Sequence, residues 1–152
     1  MRNSEHIEEI GLIFQDDYDI DLFDDGTIFS ETMRAMHVDA VWQSREIPSE
    51  WFVMYHRDEI DSNSFFLQTS WDNGIIVLDG WMWKSKAQLL IYHKPSDHKV
   101  YILDLVAIRA NASNLLRFGT TMNSDEESGL LVGEEHIKDF ILKEVETWSE
   151  IK

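Results

Sequence analysis

The sequence contains no cysteine. Disulfides, thiolate zinc sites and cysteine nucleophiles are thereby excluded, and the composition fits a protein kept in a reducing cytoplasm. No apolar run approaches the ~18 residues that a membrane span requires. The first residues, Met1-Arg2-Asn3-Ser4-Glu5-His6, carry acid early and lack an apolar stretch, so no secretory signal is expected. Several catalytic patterns are also missing. There is no G-x-S-x-G, no phosphate-binding glycine loop and no G-x-G-x-x-G. The six histidines show neither H-E-x-x-H nor any paired ligand spacing, which disfavours zinc. An EF-hand-like run from Asp21 to Thr32 fails because Phe23 and Thr32 stand where calcium needs oxygen ligands. Asp39, His56 and Ser44 can be drawn as a triad, but nothing in their spacing favours it.

Positive charge is the other scarcity. Thirteen Lys and Arg face 29 Asp and Glu, a formal net charge of −16. Ordinary nucleic-acid binders gain affinity by neutralising phosphates with Lys and Arg, so direct binding to nucleic acid is disfavoured. An acidic surface serves solubility. It also suits a protein that imitates DNA or complements a basic partner.

What is present describes a packed globule. The 152 residues fit one domain, 43% are hydrophobic, and six are Trp. Residues 4–15 have the cap, early acids and apolar spacing of a helix. Residues 16–31 hold seven carboxylates and no Lys or Arg. Within them Tyr18, Ile20 and Leu22 alternate with Asp17, Asp19 and Asp21, the pattern of a one-faced strand, before a turn at Asp24-Asp25-Gly26-Thr27. Strands are expected at 36–43, 51–56, 65–70, 75–78, 89–93 and 100–105, with a hairpin turn at Asp72-Asn73-Gly74 and another turn at Pro95-Ser96-Asp97. A helix is expected from Lys84 to Leu90 and a mobile loop over 118–129. A second helix is expected from Glu134 to Ile151, on the stripe Ile137, Phe140, Ile141, Val145 and Trp148. Trp71, Trp81 and Trp83 are either core residues or a docking patch.

The order of these segments carries a resemblance. A strand bearing Asp39 is followed by a second strand, Glu50-Trp51-Phe52-Val53-Met54-Tyr55-His56, and then by a Phe65-Phe66 strand. After it come Gly80-Trp81 and Ser85-Lys86-Ala87, then Leu89-Leu90-Ile91-Tyr92-His93 and Val100-Tyr101-Ile102-Leu103-Asp104. Over residues 5–110 this resembles the PD-(D/E)XK nuclease-like superfamily, in the manner of a degenerate phage or mobile-element member. The resemblance implies an α/β (α+β) single domain. Its restriction-endonuclease-like core would be a mixed, mostly antiparallel sheet of about five strands flanked by helices. Residues 111–152 would add a loop and the C-terminal helix.

Active members hold Mg²⁺ with an Asp on one strand and a Glu-x-Lys on the next, often with an acid on the first helix. The resemblance sets Glu9 or Glu8 at the helical acid and Asp39 at the first metal ligand. On the second strand, one register puts Phe52 at the acid and Met54 at the lysine. The other puts Glu50 at the acid and Phe52 at the lysine. Neither supplies an ammonium, and His56 and Arg57 lie too far along the strand to replace one. Lys84 and Lys86 correspond to basic residues that help hold DNA in active members.

Two functions follow. The first is a catalytically inactive, acidic protein that needs no cofactor. It would inhibit or redirect a basic host protein, such as a nucleic-acid enzyme or defence factor, in the host cytoplasm. Its partner-binding acids would be Asp16, Asp17, Asp19, Asp21, Asp24 and Asp25. The second is a Mg²⁺-dependent endonuclease in which Glu9, Asp39 and Glu50 bind metal and Lys84 or Lys86 replaces the missing lysine. It would need a local basic strip from Lys84, Lys86, Lys94, Lys99 and Arg109.

Overall fold

Alternation of inward apolar and outward polar residues organises most of the chain into strands. The computed structural model describes residues 18–23, 26–44, 50–59, 63–72, 77–123 and 127–146. The expected helix at 4–15 lies outside these residues, as do Glu8, Glu9, Asp16, Asp17, Asp24, Asp25 and the turn residues Asn73 and Gly74.

Strand β1 (Tyr18–Leu22) pairs antiparallel with β2 (Ala40–Ser44), which pairs antiparallel with β3 (Glu50–Arg57). Strand β3 then runs parallel to β6 (Leu89–Lys94), and the sheet continues antiparallel through β7 (Lys99–Asp104) to β10 (Ile141–Glu146). The crossover between the parallel strands builds part of a second, wholly antiparallel sheet. Its strands are β4 (Ser64–Asp72), β5 (Val77–Asp79), β8 (Thr120–Asn123) and β9 (Glu127–Gly133), in the order β5-β4-β9-β8. Among the described residues five helices connect them: α1 (Ile28–Ala35), α2 (Trp81–Lys84), α3 (Leu105–Ala110), α4 (Ala112–Phe118) and α5 (Glu134–Ile137). The result is a single mixed α+β domain, mostly antiparallel. Among the described residues no helix is long and apolar enough to cross a membrane.

The two faces of the first sheet bury different residues. Met54, Leu90, Tyr92 and Leu103 point toward the second sheet and join Phe65, Leu67, Leu130 and Val132 there. Trp42, Val53, Tyr55, Leu89 and Ile91 form a separate cluster on the other face. Strand β6 is buried along its whole length, as the inner strand of such a sheet must be. It is also the clasp between the sheets. The Tyr92 hydroxyl donates to Asp58 Oδ2 (2.6 Å) and accepts from the Phe66 amide (2.6 Å). Lys94 Nζ donates to the Ser64 carbonyl (2.9 Å) and lies 4.7 Å from the Phe65 ring centre. That geometry gives an almost wholly buried ammonium both a hydrogen bond and a cation–π partner.

Several expectations are corrected. The described residues form ten strands in two sheets, where about five in one were expected. Residues 36–39 are not strand. Helix α1, capped by Thr27 Oγ1 on the Ser30 amide, runs to Ala35, and His37 then takes a left-handed conformation (φ 55°) before β2. The helix expected over Lys84–Leu90 ends at Lys84. Ser85 is extended, and its Oγ accepts from the Ala87 amide and donates to the His37 carbonyl, which holds the next residues straight. The expected loop at 118–129 is mostly the β8–β9 hairpin. Over residues 134–146 the expected C-terminal helix is replaced by α5, one 3-10 turn at Lys138–Phe140 and β10, and the rest of it, with Trp148, lies outside the described residues. Ile141 and Val145 fit a helical stripe, but a bulge between Ile141 and Lys143 turns them to opposite faces of the sheet, Ile141 to the core between the sheets and Val145 to the other cluster, and the open edge of β7 supplies backbone partners.

Candidate functional site

Asp39 sits in the bend between α1 and β2, and its backbone is completely engaged. Its amide donates to the Val53 carbonyl (2.8 Å) and its carbonyl accepts from the Phe23 amide (3.0 Å). Its Oδ2 accepts from the Tyr55 amide (2.8 Å). The side chain thus completes the start of the β2–β3 hairpin where regular pairing has not begun. Burial pushes its pKa above the usual carboxylate range, against opposing pulls from the Tyr55 amide and the Arg34 charge. A group whose folded pKa is raised stabilises the fold below its unfolded value, near 3.8, and loses that contribution as pH climbs through the folded value. An asparagine would keep the acceptor oxygen without the charge. Asp39→Asn is therefore expected to raise the melting temperature at pH 7, with the gain shrinking to nothing toward pH 3.5. Thermal melts across that range check this, and a pH-independent difference would refute it.

Of the other residues proposed for metal, Glu9 lies outside the described residues and Glu50 does not gather with Asp39. Glu50 pairs with Gln43 at the far end of the hairpin, while Asp39 bonds to Val53 and Tyr55. At about 3.3 Å per residue the two carboxylates stand on the order of 10–16 Å apart, too far to share one ion. Among the described residues, no group of three or more His, Asp or Glu side chains is placed to hold a metal.

The strand positions facing Asp39 are apolar. Met54 is 5% exposed and belongs to the core between the sheets. Phe52 is 37% exposed, and its backbone is matched by Gln88, whose Oε1 accepts the Phe52 amide (3.0 Å) while its own amide bonds the Phe52 carbonyl (2.9 Å). His56 lies among the rings of Phe66, Trp81 and Tyr92, and Arg57 pairs with Glu59 (2.7 Å). Neither reaches toward Asp39 as a substitute cation. Trp81 is core and Trp83 is exposed, which splits the expected tryptophan patch.

The expected basic strip does not form as one surface. Lys94 is buried between the sheets, and Lys99 pairs with Glu144 (2.9 Å). Arg109 donates to the Ser85 and Ala87 carbonyls, so it pins the segment that follows α2. Burial lowers its pKa from the usual arginine range. Lys84 and Lys86 remain exposed, and this segment lies against the end of α1, with the Lys86 amide on the Met36 carbonyl (3.0 Å). Arg34 lies in the last turn of α1. Sequence reasoning missed Arg34 because α1 itself was missed. Thr27 as a cap and Met33 four residues after Phe29 were the available signals.

At the edge of the first sheet, β1 has the expected one-faced form. The Tyr18 ring packs 5.2 Å from Trp42, and Leu22 packs on the same cluster. Asp19 and Asp21 are exposed on the opposite side of the pleat.

No family model, no curated protein and no solved structure matches the chain.

Proposed function

We propose that this protein is a non-enzymatic acidic binding protein on a nuclease-like scaffold. It docks on a basic host protein, a nucleic-acid enzyme or defence factor, and inhibits or redirects it by offering carboxylates where that partner expects phosphates. The observation that carries the reading is β1. Asp19 and Asp21 project from one side of an edge strand, two residues and hence about 6.7 Å apart, in a chain of net charge −16. Acidic side chains on an edge also discourage strand addition by other molecules, so the row suits recognition by charge rather than by β-pairing. The hairpin supports the same reading. Where a nuclease needs an ammonium, this chain packs Met54 into its core.

The test is a pull-down from host lysate at low and at high salt, run beside Asp19→Lys/Asp21→Lys. Recovery of a basic protein at low salt only, weakened about tenfold or more by the charge reversal, is the expected result. Failure to recover anything basic removes the main support. So does Mg²⁺-dependent cleavage of plasmid, single strands or RNA that disappears in Asp39→Ala.

A further inference from the structure

We propose that a groove between α3 and the outer face of the first sheet binds a small apolar molecule carrying a protonated amine. The groove encloses about 700 Å³, a size that holds a small organic ligand. It crosses every strand of that sheet, from Tyr18 on β1 to Leu142 on β10. Leu89 and Ile102, both nearly buried and both in the outer core cluster, line its middle. Val106 of α3 and Leu142 also line it, and they are 50% and 59% exposed. Trp51 and Tyr18 add aromatic surface, and the Tyr18 ring is steadied 5.2 Å from Trp42. Large aliphatic side chains left open around a concave space are the surface an apolar ligand covers.

The polar part of the lining is fixed by the backbone. Asp104 lies opposite Leu89 in the β6–β7 pairing. Its Oδ1 accepts from the Ala107 amide (3.0 Å) and so caps α3, which holds the carboxyl group in one orientation. Gln88 beside it is tied three ways. Its amide donates to the Phe52 carbonyl (2.9 Å), its carbonyl accepts from the Leu105 amide (3.0 Å), and its Oε1 accepts from the Phe52 amide (3.0 Å). The start of α3 is thereby locked onto the strand end.

Asp104 decides the charge of the ligand. It is half-buried and is the one carboxylate among the described lining residues. Lys143, the other charged residue there, is exposed. A charge pair formed in a recess is screened less than one on open surface. The −16 chain also draws a cation toward the groove and repels an anion. The exposed acids Asp19 and Asp21 have the same charge without an apolar recess, so they suit a broad basic partner and not a small amine.

Isothermal titration of the whole protein at physiological ionic strength tests the site. The probes are tryptamine, its neutral analogue tryptophol, its carboxylate analogue indolepropionate, and methylamine. Salt at that level screens general attraction of cations to an acidic surface. Tryptamine is expected to bind at least about tenfold more tightly than tryptophol, with indolepropionate and methylamine showing no measurable binding. Asp104→Asn keeps the cap on α3, because asparagine caps as well as aspartate. It should lose at least about tenfold in tryptamine affinity and leave tryptophol unchanged. Leu142→Arg, at an exposed position, should weaken both. Asp139→Asn, at an exposed acid elsewhere, should bind like the parent. No tryptamine binding by the parent, methylamine binding as tightly as tryptamine, or tryptamine binding unchanged in Asp104→Asn and Leu142→Arg overturns the proposal. None of these results depends on whether a basic partner is recovered.

Discussion

Gly80→Ala is expected to cost about 3 kcal/mol or more of folding stability. The residue joins β5 to α2 while pressed against β4. Its amide donates to the Thr69 carbonyl (3.0 Å), and the next amide, that of Trp81, donates to Gln68 Oε1 (3.1 Å). A Cβ here would overlap the Gln68 carbonyl and stand 2.7 Å from the Thr69 carbonyl carbon. Both obstacles are backbone, so no rotamer change relieves them. The φ of −73° is ordinary, so the requirement is one of space and not of conformation. Gly26→Ala provides the contrast. That glycine has nothing within 4 Å of its missing Cβ but a φ of 78°, and its replacement should cost about 1 kcal/mol. Urea titration of both variants checks the order, and a Gly80 variant as stable as the parent would contradict the close approach.

Tyr92→Phe is expected to remove about 2–4 kcal/mol, although only one oxygen is lost. That oxygen is the acceptor for the Phe66 amide and the donor to Asp58, both in the buried seam between the sheets. The ring contacts with Phe65 and His56 would persist, so the loss reports the hydroxyl and not a cavity. Burial and the adjacent Asp58 carboxylate hold the Tyr92 pKa far above the usual phenol range, so the donor stays protonated at any working pH. Equilibrium unfolding at pH 6 and pH 9 should therefore give the same destabilisation. A loss confined to the higher pH would contradict this account.

Strands with a clean period-two pattern were legible in the sequence. β1 announces itself through Tyr18 and Leu22 against Asp19 and Asp21, and the apolar runs at β3, β4, β6 and β7 are continuous enough to read directly. The glycine before Trp81 was visible as a signal, while its reason, the backbone of β4, was not. Misreadings arose where tertiary partners decide. Gly129 looks like loop, yet it is small because the Phe66 ring occupies the place of its side chain. Ile141 and Val145 read as one helical stripe until the edge of β7 and the bulge after Ile141 are known. At the candidate site, the apolar character of Phe52 and Met54 was legible. The tie of residues 36–37 to residues 85–86 was not, because it depends on contacts between segments some 50 residues apart.

The pairing of β4 with β9 brings Ser64 opposite Gly133, and β10 closes the first sheet from still further along the chain. Loop closure over such separations is slow compared with local hairpin formation. On the ribosome, β4 is synthesised roughly 60 residues before the strand that covers its edge. Phe65 and Leu67 then wait in the nascent chain until β9 has been made. Strongly acidic flanking sequence keeps such an intermediate apart from its neighbours by charge repulsion. The negative charge proposed for docking on a basic partner therefore also protects the unfinished protein before β9 and β10 are made.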